Sequence, residues 1–120
     1  MKKPAELATE AAEAVRSLNH ATLRHRTGEG WEYPSDAYDV LGELSLVAMR
    51  MPQALEQAGK FVDAIADDGR LGVDAGGTDV AGMQTDLGAA IKDAIDAAAA
   101  LTKALVLAHG VASHLTYRIN

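Results

Sequence analysis

The sequence predicts an all-α protein, an antiparallel helical bundle of three long helices, or four if Pro52 splits the second. Three observations carry this expectation. Alanine supplies 24 of the 120 residues, one in five, against 4% aromatic residues. Alanine has the best intrinsic helix propensity, whereas strands favour β-branched and aromatic side chains. Apolar residues also recur at alternating steps of three and four through three long segments, the spacing that lines one face of a helix. Finally, glycine gathers in the connections between those segments, where it punctuates regular structure. The length fits a single domain over residues 1–120.

The first segment runs from Pro4 to about Arg26. Proline is tolerated at the first helical position. Glu6, Glu10 and Glu13 lie in its first half and Arg16, Arg24, His25 and Arg26 towards its end, an order that complements the helix dipole. Leu7, Ala11, Ala14, Leu18 and Ala21 form its stripe, widened by Val15, and Gly28 and Gly30 are expected to stop it. The connection Thr27–Ser35 holds the only tryptophan. Trp31 and Tyr33 read most simply as a plug over one end of a bundle, with exposed contact to a partner as the sharper reading.

The second segment, Asp36 to about Asp67, opens behind Ser35 as N-cap with Asp36 and Asp39 in the first turn. Its stripe is Leu41, Leu44, Ala48, Met51, Leu55, Ala58, Val62 and Ile65. Pro52 breaks or bends a helix, yet the phase survives it, so one long kinked helix is favoured over two. Asp67-Asp68-Gly69 ends the segment. Residues 68–78 contain four of the eleven glycines and read as a loop.

Thr78 and Asp79 open the last helix. Its stripe is Val80, Met83, Leu87, Ile91, Ala94, Ala98, Leu101, Leu105, Ala108, Ala112 and Leu115. Unbroken to Tyr117, it would be roughly 58 Å long. From Ala97 to Ala112 only Lys103 and His109 carry or gain charge, and apolar residues surround the helix instead of lining one side. A helix that is apolar all round is buried all round, and a chain this short covers one helix only partly. A homo-oligomer is therefore expected, with Leu101, Leu105 and Leu107 as self-association residues.

Charge and cysteine content exclude several classes of function. The formal net charge is −6: +1 over residues 1–30, −9 over 31–100 and +2 over 101–120. An acidic middle repels a phosphate backbone, so direct nucleic-acid binding is not expected. The absence of cysteine removes disulfides, thiolate metal sites and a cysteine nucleophile. The basic start is followed by glutamates and not by an apolar run, unlike a signal peptide. The run Ala97–Ala108 is about twelve residues long and contains Lys103, too short and too charged to span a bilayer. A cytoplasmic protein without membrane contact is the expectation.

Few residues are spaced for chemistry. His20/His25 and His109/His114 lie five apart, about 140° around a helix, whereas ligands on one helix want spacings of three or four. Ser113 follows His109 by four, but no orienting acid or oxyanion hole accompanies them. The glycines of VDAGGTD precede a helix start, where phosphate binds, but lack the Lys-Ser/Thr ending of a P-loop. The best enzymatic pattern is carboxylic. Glu10 and Glu13 are three apart on the first helix, and Asp36 and Asp39 are three apart opening the second. On neighbouring antiparallel helices two such pairs converge on one Mg²⁺. Complementing helix N-termini is the simpler role for all four.

With the texture of YDVLGELSLVA (Tyr38–Ala48), those acids resemble the MazG-like all-α nucleoside-triphosphate pyrophosphohydrolases. That family carries Glu-x-x-Glu on one helix and Glu-x-x-Asp on the next. Here the second pair begins with Asp36 and sits at the helix start, and Glu43 is the only acid deeper in the Tyr38–Ala48 stretch. The resemblance implies a Mg²⁺-dependent enzyme. Separately, SLNHATL (Ser17–Leu23) followed by GWEYPSDAYDVLGELS (Gly30–Ser45) resembles a group of small alanine-rich helical actinobacterial proteins of unassigned role, some of them on mobile or conjugative elements. That likeness implies an intracellular bacterial protein and brings no catalytic residues.

The expectation is therefore a non-enzymatic oligomerisation or adaptor protein that needs no cofactor. It would associate with itself through Leu101, Leu105 and Leu107 and meet a protein partner through Trp31 and Tyr33. The alternative is a MazG-like pyrophosphohydrolase holding Mg²⁺ with Glu10, Glu13, Asp36 and Asp39.

Overall fold

Each periodic segment forms one continuous helix in the computed structural model, which describes residues 1–23, 31–74 and 77–119. The helices are α1 (Pro4–Ala21), α2 (Pro34–Asp67) and α3 (Val80–Ala112). The described residues contain no strand, so the all-α expectation holds. Helix α1 ends at Ala21, short of the expected Arg26; Arg24, His25, Arg26, Gly28 and Gly30 lie outside the described residues.

Helix ends follow local chemistry more closely than the stripes do. Pro34 takes the first position of α2, and Tyr33, not Ser35, is its N-cap. Proline's missing N–H costs nothing there, because the first amides of a helix have no intrahelical partner. The other end closes on Gly69, whose φ of 72° suits glycine. Its N–H donates to the Ala66 carbonyl at 2.9 Å, and the Arg70 N–H donates to Ile65 at 3.1 Å. Both bonds are those of a Schellman ending. At the start of α3 the Asp79 carboxylate accepts from the Gly82 N–H at 2.9 Å. That helix stops at Ala112, short of the projected Tyr117, so Leu115 lies outside it.

Pro52 does not split α2, which runs through it from Pro34 to Asp67. The proline removes one backbone donor and crowds the carbonyl four residues earlier, that of Ala48. Both residues face α3: Ala48 is 2% exposed and Pro52 half-buried.

Helices α2 and α3 run antiparallel. Tyr38 near the start of α2 stacks on His109 near the end of α3, with ring centroids 4.0 Å apart. At the far end Gln84 donates to Asp63 at 2.7 Å. Between these points the helices come so close that a Cβ built on Gly42 would lie 2.9 Å from His109 Nε2, and one on Gly59 would lie 3.1 Å from Ile91 Cδ1. The seam is made of small residues. Among the described residues Ser45, Ala48, Ala98 and Ala112 are the buried ones, and no large side chain is fully buried. Ser45 enters the seam because its hydroxyl donates to the Gly42 carbonyl at 2.6 Å, leaving no polar group unsatisfied.

Helix α1 stands apart. None of its Cα atoms comes within 8 Å of a Cα in α2 or α3, and none of its residues is buried. The whole is a rod of 69 × 26 × 26 Å with a radius of gyration of 19.8 Å, against roughly 14 Å for a compact chain of this length. α3 also contains an 18-residue window of mean hydropathy 1.4, of which 6% is buried. By length and composition this helix is sufficient to cross a membrane. The twelve-residue run Ala97–Ala108 is too short by itself, but it continues a helix that begins seventeen residues earlier, at Val80.

A close glycine and an open one respond differently to an added methyl group. Gly88 has nothing within 4 Å of its Cβ position, so Gly88→Ala is expected to raise stability by about 0.5–1 kcal/mol through helix propensity. Gly42→Ala gains the same propensity but must displace His109 from Tyr38, and is expected to be less stable than Gly88→Ala. Urea unfolding of the two variants beside the parent checks the ordering.

Candidate functional site

Three surfaces emerge from this arrangement, all at the end of the rod where α2 begins and α3 finishes. The first is aromatic. Residues just before α2 and just after α3 are brought together, so that Tyr33 and Tyr117 meet edge to face, with centroids 5.3 Å apart and planes at 84°. This offset geometry suits the ring quadrupoles. Tyr33 remains 50% exposed and Trp31 is half-buried. The sequence placed Trp31 and Tyr33 together but missed Tyr117, Tyr38 and His109, because nothing local links residue 33 to 117 or 38 to 109. Only the antiparallel register does so.

The second surface is a groove of about 430 Å³ between α1 and the first half of α2. Its walls are Ala11, Ala14 and Leu18 on one side and Val40, Leu44 and Val47 on the other. The apolar stripe of α1 therefore faces α2 without closing on it, and Val47 stays 46% exposed. Asp39 and Glu43 border the groove. Both are exposed, and among the described residues neither has an ion-pair partner.

The third surface is the outer side of α3. Ala98, Leu105 and Ala112 repeat every seven residues and share the side turned to α2; Ala98 and Ala112 are buried there and Leu105 half-buried. Leu101 and Leu107 are exposed instead, Leu107 at 70%. The three leucines considered for self-association thus divide between two faces. Val111, at 60%, continues the outer side. Lys103 lies four residues before Leu107 on that side, and is its one charge between Ala97 and Ala112.

The four carboxylates of the enzymatic alternative are occupied separately or left apart. Glu10 pairs with Lys2, and Glu13 with Arg16 at 3.3 Å. Asp36 accepts from the backbone N–H groups of Tyr33 at 2.8 Å and Glu32 at 2.9 Å. Those two bonds favour the ionised form and hold its carboxyl below its ordinary value. Asp39 borders the groove and also a cavity of about 410 Å³ beside Glu43, Ser45 and His109. Among the described residues no three of histidine, aspartate or glutamate are placed to share a metal ion. Ser113 donates to the Gly110 carbonyl, a local turn bond, and His109 is engaged with Tyr38.

No protein-family model, curated protein or solved structure matches the chain.

The hydrogen bonds at Asp36 give a pH signature. A folded-state value depressed below the unfolded 3.8 means that its contribution is fully present above that pH. It is then lost as pH falls through the lower folded value. Asp36→Ala is expected to lower thermal stability at pH 7, and the gap to the parent should close on acidification below about pH 4. Melting curves for both proteins across that range check it.

Proposed function

We propose that the protein is a non-enzymatic helical oligomerisation or adaptor protein, working through helix faces that a single copy leaves uncovered. One observation carries the reading. The chain exposes 9566 Å², about half as much again as the roughly 6,200 Å² expected of a compact monomer of 12.6 kDa. Much of the surplus is apolar: Leu107, Val111, Phe61, Met83 and Val47 are all exposed. Stable interfaces bury about 1,200–2,000 Å² in total, so the surplus is ample for one.

The outer side of α3 is the self-association surface in this reading, with Leu107 on it and the exposed Leu101 at its flank, one turn before Leu105. Leu105 contributes from the α2-facing side by holding the hairpin together. Trp31 and Tyr33, the latter anchored on Tyr117, present an aromatic edge to a protein partner, as aromatic anchors do at many interfaces. The acidic middle of the chain keeps nucleic acid out of the partner set. A cytoplasmic setting fits Lys103 and His109 on α3 and the mixed charges along α2, both costly in hydrocarbon.

The pyrophosphohydrolase alternative needs Glu10, Glu13, Asp36 and Asp39 to converge, and the separate occupation of the first three speaks against it. Magnesium titrated into the protein by calorimetry is expected to give no heat above the buffer control. A binding isotherm that disappears in Asp39→Asn would revive the enzyme.

Light scattering at micromolar concentration is expected to give a mass of at least two chains. Leu107→Glu, which places a charge on an exposed position and spares the hairpin, should reduce that mass towards one chain with helical circular dichroism unchanged. A parent protein that is monomeric throughout would remove the reading.

A further inference from the structure

The groove between α1 and α2 and the outer side of α3 have matching chemistry. One is an apolar channel bordered by two carboxylates, Asp39 and Glu43. The other is a ridge in which Ala100, Lys103, Leu107 and Val111 recur at steps of three, four and four, so that a single ammonium sits among apolar side chains. Lys103, like Asp39 and Glu43, has no ion-pair partner among the described residues. Within one chain the ridge turns away from α2, since Ala98 and Ala112 on the opposite side of α3 are the residues buried.

We propose that a second copy of the chain lays the outer side of its α3 in the groove between α1 and α2, with its Lys103 between Asp39 and Glu43. This rests on the self-association reading and assigns its geometry: α3 meets a groove and not another α3. Both surfaces lie on the same half of the rod, because the register that brings His109 to Gly42 also sets residues 100–111 beside the first half of α2. The ridge faces away from α2 and the groove lies on the side of α2 away from α3, so the contact is heterologous, the ridge of one copy in the groove of another. A ridge inserted here gives α1 the apolar contact it lacks, covering Ala11, Ala14 and Leu18. A small molecule is a poorer occupant, since such sites offer several convergent polar groups inside the cavity, whereas this one has two carboxylates at its border.

Charge reversal tests the pairing without touching the hairpin, as all three side chains are exposed. The dissociation constant for self-association is read by sedimentation velocity for the parent, for Lys103→Glu, for Asp39→Lys with Glu43→Lys, and for the triple variant. Like charges facing one another are expected to weaken association about tenfold or more in each partial set. The triple variant should return to within about threefold of the parent, because the pair is restored with its sign exchanged. A parent that self-associates equally well with either reversal overturns the groove assignment and leaves self-association standing. A parent that stays monomeric overturns both. Flotation of the parent with phosphatidylcholine vesicles, lost in Leu107→Glu, would assign the ridge to lipid and also overturn the proposal.

Discussion

The seam between α2 and α3 is built from residues too small to hold the molecule by bulk. Gly42 under His109, Gly59 under Ile91, and Ser45, Ala48, Ala98 and Ala112 let two backbones approach closely along most of their length. A buried methyl group contributes roughly 0.8 kcal/mol, whereas a fully buried leucine or phenylalanine contributes about 1.5–3 kcal/mol. Ordering each backbone residue costs about 1–2 kcal/mol. A seam of this kind is close-fitting and weak, and the larger apolar side chains are left on the outside.

That placement organises the rest of the structure. Leu107 and Val111 face outward because Ala98 and Ala112 face α2. The first half of α2 is apolar on two sides, one taken by α3 through Ser45 and Ala48, the other presented to α1 through Val40, Leu44 and Val47. Helix α1 carries a complementary stripe but closes no contact, so a groove remains where a third helix of a bundle would pack. All the aromatic residues except Phe61 gather where α2 starts and α3 ends, and there Tyr33 ties the residues before α2 to Tyr117 after α3. The available surfaces therefore share one end of the rod, the groove bordered by acids on one side and the ridge of α3 on the other.

Much of this was legible in the residues. Alanine content and the three-four spacing identified three helices, Pro4 and Asp67 were correct ends, and the phase across Pro52 correctly argued for one helix over two. The seam was read one residue off at alternate turns. Leu44, Met51 and Ala58 complete the more apolar stripe of α2, but the structure turns Ser45, Pro52 and Gly59 towards α3. Hydrophobicity ranks leucine and methionine above serine and glycine, while close helix approach selects for size. The three-four rhythm accommodates both stripes, which share Leu41, Ala48, Leu55 and Val62, so rhythm alone does not separate them. The carboxylate pairs illustrate the converse. Their spacing suits a metal site, yet Asp36 faces the backbone amides of Glu32 and Tyr33, a role that follows from its third position in a helix begun by Pro34. The contacts of His109 with Tyr38 and of Tyr117 with Tyr33 depend on antiparallel register over long separations and leave no local trace.

If a second copy supplies the missing burial, folding and association are one equilibrium, and stability depends on protein concentration. Thermal unfolding followed by circular dichroism between about 1 and 100 μM tests this directly, because an assembly that melts to separate chains gains stability with concentration by mass action. A midpoint that climbs by several degrees across that range is the expected result. A cooperative transition at one temperature, independent of concentration, would mean that the hairpin stands alone and would contradict it.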